Sequence, residues 1–116
     1  MAHYEDLTID QGTDVSIDVY LVTKSGAKKD LTGYTVAAKM ATSYDAADSD
    51  KVSFTTNVVA PADDGIINLS LTNAQTDLLN TKKRYMYDVE ISATDSDGTI
   101  VERVLEGLIT VTPSVT

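Results

Sequence analysis

The sequence predicts an all-β fold, an antiparallel sandwich of about seven strands with one short helical turn, about residues 72–80, before the penultimate strand. Three observations predict it. Thr, Val, Ile and Tyr, which fit a pleated and half-buried surface, are frequent. Turn signals built from Gly, Pro, Asp and Ser recur at short intervals. Between them, apolar and polar residues alternate at period two, which puts them on opposite faces of a strand.

LTID (7–10) reads as a short first strand, and QGTD (11–14) turns the chain. In VSIDVYLV (15–22), Val15, Ile17, Val19 and Leu21 share one face, and Ser16, Asp18 and Tyr20 the other. KSGAKKD (24–30) is a polar hairpin loop in which Gly26 can take a positive φ. In LTGYTVAAKM (31–40), Leu31 plugs the core, Gly33 allows a bend, and a strand runs from Tyr34 to Met40. ATSYDAADSDK (41–51) is small, polar and acidic, a flexible excursion between strands. VSFTTNVV (52–59) is one strand carrying Phe54, PADDG (61–65) is a turn, and Ile67, Leu69 and Leu71 of the next strand point one way.

Thr72 and Gln75 have the spacing of a capping box: the threonine hydroxyl can accept a backbone N–H of the first turn while the glutamine reaches back. Ala74, Leu78 and Leu79 are expected to face inward. RYMYDVEIS (84–92) then alternates strictly, with Tyr85, Tyr87, Val89 and Ile91 on the inner face and Met86, Asp88, Glu90 and Ser92 outside. TDSDGT (94–99) is a hairpin with Asp-Gly at its tip. In the last strand Val101, Leu105, Ile109 and Val111 share a face, Gly107 marks a bulge or a close approach, and Pro113 ends the ladder. The reading is one β-sandwich domain over 1–116 with short arms at 1–6 and 112–116. A helical turn followed at once by a strand that opens on tyrosine is an immunoglobulin-like feature. In such sandwiches a tyrosine at that corner bonds its hydroxyl back to nearby backbone, and one of Tyr85 and Tyr87 is expected to do so.

The totals exclude several function classes. The chain has no cysteine, hence no disulfide, thiolate nucleophile or thiolate metal site, with a lean to the cytosol. MAHYEDLTID lacks the basic end and apolar run of a signal peptide. No apolar stretch approaches the ~20 residues that cross a bilayer. With 18 acidic against 9 basic residues, net −9, phosphate backbones and anionic lipid are repelled. The basic clusters, Lys28–Lys29 and Lys82 to Arg84, carry no interleaved aromatics.

Catalysis finds no footing. The single histidine, His3, sits at a terminus, so a nucleophile relay has no base. Asp88 and Glu90 lie roughly 6.5–7 Å apart along one strand face, but nothing predicts a cleft around them. A surface calcium site would draw on Asp95 and Asp97, yet neither DSDG (95–98) nor DDG (63–65) supplies the full ligand set of a calcium loop, and turn chemistry explains both.

The motifs taken in order carry a resemblance. They are QG at 11–12 before the first long strand, DLTGYT at 30–35, GIINLSLTNAQT at 65–76, RYMYDVE at 84–90 and EGLITVTP at 106–113. The chain resembles a family of small tailed-phage virion proteins and is similar in order and length to the amino-terminal domain of phage baseplate upper proteins. One segment departs from the family pattern. Where relatives carry an arginine-containing QIRKSY-like strand, this chain reads AAKMATSYD, with Lys39 and Tyr44 as the nearest matches.

The resemblance implies a virion component made in the host cytoplasm, with no cofactor and no catalytic residue. Its partners would be other phage structural proteins, with multiple copies in the assembly, and no nucleic acid, membrane or small-molecule substrate. The tail or baseplate is the expected place; a head decoration or neck protein is the nearest variant. Contacts are expected from His3 and Tyr4 of the first arm, from the Tyr44 loop, from Pro113 onward, and from the face carrying Met86, Asp88 and Glu90. A carbohydrate-binding sandwich, with Tyr20, Tyr34 or Tyr44 as stacking rings, is the other reading.

Overall fold

The computed structural model describes residues 3–95 and 98–115, with the backbone alone for Asp48 and Asp95. Among the described residues nine strands pack as two sheets. The strands are β1 (His3–Tyr4), β2 (Leu7–Asp10), β3 (Val15–Tyr20), β4 (Thr35–Ala41), β5 (Val52–Ser53), β6 (Thr55–Val58), β7 (Ile66–Leu71), β8 (Tyr85–Asp95) and β9 (Gly98–Thr112). The larger sheet has the order β1-β9-β8-β4-β5, with β2 also on β9; the smaller is β3-β7-β6. Pairing β1 with β2 and β5 with β6 as interrupted runs leaves seven continuous runs, the sandwich the sequence predicts. The core between the sheets is made by the predicted inward residues, among them Ile67, Leu69, Val89, Ile91 and Ile109. Leu31 plugs it as expected, 1% exposed.

The sandwich is not wholly antiparallel. β1 and β2 run parallel to β9, with His3 opposite Leu105 and Ile9 opposite Val111. The first arm is therefore sheet from His3 onward. Two residues make this possible. Gly107 has no side chain, and an added Cβ would come within 2.0 Å of the Glu5 carbonyl oxygen. The Tyr87 hydroxyl donates to that same carbonyl at 2.6 Å. At the break between β1 and β2 the Asp6 carboxylate accepts the Leu108 N–H, at 3.2 Å, standing in for a backbone carbonyl. Gly107 is thus a close approach.

The irregularity in β9 lies elsewhere. Val89 faces Leu105 but Glu90 faces Arg103, so Val104 is the extra residue of a bulge. The extra residue reverses the side-chain parity beyond it. Val101, expected inside with Leu105, is 58% exposed for this reason.

Other differences are local. Residues 52–59 form two strands, because the chain changes sheets at Phe54, whose ring is buried and whose N–H bonds the Ala38 carbonyl at 3.0 Å. The loop after β3 is a small hairpin that turns at Gly26, φ 87°, with Val22 bridged antiparallel to Lys28 and the Thr23 N–H bonded to the Ala27 carbonyl at 2.8 Å; β3 and β4 themselves lie in different sheets. The helical turn α1 spans Asn73–Asp77, and its capping box is complete: Thr72 accepts from the Gln75 N–H, and the Gln75 side chain accepts from the Thr72 N–H. Its inward residue is Thr76, fully buried, followed by Leu79, whereas Ala74 and Leu78 face solvent. From the cap at Thr72, steps of four and three reach Thr76 and Leu79 on one face. The Thr76 hydroxyl ties the turn to the loop after β2, accepting from the Gly12 N–H at 3.1 Å and donating to the Thr13 carbonyl at 2.8 Å.

Two substitutions test these ties. Gly107→Ala forces the first arm off β9 and lowers stability by about 3 kcal/mol in urea unfolding. Thr76→Val keeps the shape but orphans two backbone groups, with an expected loss of about 1–3 kcal/mol by the same measurement.

Candidate interaction surface

The strict alternation of β8 decides what faces out. Its odd residues fill the core, so Met86, Asp88 and Glu90 stand on the outer face of the larger sheet, all partly exposed. Register extends this into a row across five strands. Tyr4 is opposite Glu106, Glu106 opposite Asp88, Asp88 opposite Lys39, and Lys39 opposite Ser53. Arg103 serves three carboxylates on this face: Asp88 at 3.6 Å, Glu90 at 3.8 Å and Glu106 at 3.6 Å. Each pair is substantially exposed and contributes little singly; together they hold the acidic side chains in place. The centre of the face is a shallow depression of about 410 Å³, bounded by Tyr44, Lys51, Met86 and Arg103.

Two tyrosines rim this face. Tyr44 is 84% exposed on the loop after β4, where the Ser43 hydroxyl donates to the Asp45 carboxylate and so holds that carboxyl below its ordinary pKa. Tyr4 is 58% exposed on β1. Its hydroxyl is pushed up first by desolvation, then by the Asp6 carboxylate, with Tyr44 and Glu106 adding to the shift. Tyr4, Tyr44, Met86, Asp88 and Glu90 therefore gather on one side of the molecule. His3 and Pro113 do not join them. His3 pairs with Leu105 and lines a lateral cleft between the sheets, and Pro113 lies beyond the end of β9.

Arg103 was not legible as part of this surface. Register from the DSDG hairpin sets it opposite Glu90 on the outer face, whereas parity counted from Leu105 sets it inside; the bulge at Val104, for which the sequence carries no signal, separates the two. The stacking tyrosines do not converge: Tyr20 stands on the outer face of the smaller sheet, while the Tyr34 ring is covered by the Lys29 ammonium at 5.5 Å. Among the described residues, no three His, Asp or Glu side chains could hold a metal ion together. Asp97 and the Asp95 side chain lie outside the described residues.

Both inner tyrosines act as staples. Tyr85 is buried, and its hydroxyl accepts the Asn80 N–H at 2.8 Å, the expected corner bond to nearby backbone. Tyr87 reaches across to the first arm instead. Burial, above all, and the carboxylates of Glu5 and Asp6 push its hydroxyl far above the ordinary 10.0.

No protein-family model and no curated protein matches the chain. Among solved structures, murine CRIg aligns over 93% of this chain and 92% of its own length, with a TM-score of 0.52 at 16% identity. That likeness shows an immunoglobulin-like β-sandwich. AggA, the major subunit of aggregative adherence fimbriae type I from Escherichia coli, aligns over 92% and 89% at 12% identity. Its TM-score of 0.39 is too low to bear on fold or function.

The Tyr87 staple has a pH signature. Because the folded state holds this proton above the unfolded pKa, stability is intact below about pH 10 and falls as pH rises beyond it. Alkaline unfolding of the native protein is expected to steepen above that pH, and Tyr87→Phe to flatten the profile while lowering stability at neutral pH by about 1 kcal/mol.

Proposed function

We propose that this chain is a non-enzymatic structural protein of a tailed-phage particle, in the tail or baseplate, joined to neighbouring virion proteins through the outer face of its larger sheet. The observation that carries the contact surface is the outer face around the row from Tyr4 to Ser53: Met86 and the Arg103 charge cluster lie beside the row, and Tyr44 borders the central depression. Tyrosine, methionine and arginine are the side chains that protein interfaces favour. Arg103 is shared among Asp88, Glu90 and Glu106 beside the depression, so these charges are held by one another on the face. The place in a phage particle rests on the ordered sequence motifs alone. Net −9 keeps free subunits apart until a specific surface docks.

Mass spectrometry of purified particles of the phage encoding this chain is expected to find it in multiple copies, and its local density decides between tail, baseplate, neck and head. Absence from particles overturns the placement. Within assembled particles, Tyr44→Ala with Met86→Asp is expected to weaken incorporation at least about tenfold, or about 1.4 kcal/mol, without unfolding the domain.

A further inference from the structure

The smaller sheet has an open edge. Its order is β3-β7-β6, so β3 has a partner on one side only. The hydrogen-bond parity shows which groups are left over. Leu21 donates to the Gly65 carbonyl at 2.8 Å, which continues the β3–β7 ladder and marks Val15, Ile17 and Val19 as the residues bonded to β7. On β7 the even residues bond β6 instead, as the Val59 N–H to Ile66 carbonyl bond at 2.9 Å shows. Ser16, Asp18 and Tyr20 therefore turn their N–H and C=O groups away from β7, and no described backbone answers them.

This edge carries none of the usual guards. β3 has no proline, no lysine and no bulge, and its register with β7 is unbroken over its whole length. The Asp18 carboxylate does not overhang it, because the Asn68 side-chain amide holds both Asp18 and Ser16 at 2.9 Å over the sheet face. The other sheet edges are shorter or occupied. β5 is two residues long, and β4 beyond it is met by the Phe54 N–H and the Thr56 hydroxyl.

The flank beside β3 is a cleft of about 1120 Å³ running between this edge and β1 and β9. Lys24, Lys29 and Arg103 line it together with Glu5, Asp18, Glu102 and Glu106. Three cations against four carboxylates make this flank nearly neutral in a chain of net −9. Two copies can thus approach here without the repulsion that the rest of the surface imposes. Tyr20 and Val22, 70% and 63% exposed, give the same edge apolar area to bury.

We propose that a second copy of the chain adds to this edge, β3 against β3 in antiparallel sense, making one six-stranded sheet from two smaller sheets. A two-fold through Asp18 would set two carboxylates directly opposite each other, which is unfavourable. A two-fold through Val19 avoids this. It sets Asp18 opposite Tyr20 and Ser16 opposite Val22 of the second copy, and the outward groups of Ser16, Asp18 and Tyr20 complete the ladder. The contact runs along the β3 edge, with Arg103 and Glu106 bordering both it and the outer face of the larger sheet, and it stands whether or not the chain belongs to a phage particle.

Sedimentation equilibrium of the purified protein tests it. The mass is expected to rise from one chain to two with concentration, more readily at higher salt, where net charge is screened. A single-chain mass at every concentration overturns the proposal. Asp18→Pro removes an outward N–H and no β3–β7 bond, so it is expected to stay folded and monomeric. Val19→Pro, by contrast, removes a ladder bond and destabilises the domain. An Asp18→Pro protein that dimerises like the native one overturns the proposal. Amide exchange on the native protein gives the answer should the proline variant not fold. The Ser16, Asp18 and Tyr20 amides slow in the dimer if β3 is the contact; unchanged exchange there, with protection elsewhere, overturns it.

Discussion

The contact on which most of this structure depends is small: the backbone of Glu5 lying on Gly107, with the Tyr87 hydroxyl bonded to the Glu5 carbonyl. It decides which sheet the first strand joins. With the arm seated on β9, Tyr4 extends the outer row of the larger sheet and brings a second aromatic rim to the predicted face. The same seating leaves β3 without a neighbour on its outer side. One close approach therefore both completes one surface and exposes another. A burial-raised tyrosine hydroxyl suits the task, since the neutral O–H must be kept to donate.

A second constraint is the extra residue at Val104. By reversing parity it sends Val101 outward and turns the distal half of the β8–β9 hairpin away from the core pattern. Glu102 then falls opposite Ile91, where Lys29 pairs with it at 3.7 Å, and Arg103 is left among the carboxylates of the outer face. The acidic cluster of an acidic protein is thus organised around one guanidinium, whose planar fork suits several carboxylates at once.

Much of this was legible because period two is a strong code. The inner residues of β3, β7 and β8, the capping box at Thr72 and Gln75 and the inward Tyr85 and Tyr87 follow from spacing alone. What escaped depends on long-range geometry. Val101 could not be placed without the bulge, and Thr76 looked polar until its hydroxyl had two backbone partners to serve. The parallel pairing of the first arm leaves no mark in a run of four residues. Phe54 hides a change of sheet inside what reads as one continuous strand. The surface residues were legible as a face of β8, but their company, Tyr4 and Arg103, comes from register with a strand a hundred residues away and from the bulge.

The parallel seating of β2 beside β9 also sets how the domain carries load. A pull on His3 in one direction and on Thr112 in the other runs along these strands, not across them. The four residue pairs from Leu7–Ile109 to Asp10–Thr112 then lie in shear, and their hydrogen bonds resist together instead of opening one by one. The Glu5 and Gln11 bonds to β9, both 2.9 Å, bracket that patch at either end. A domain tied this way passes tension directly from its first strand to its last, so the clamp bears the load and shields the rest of the sandwich.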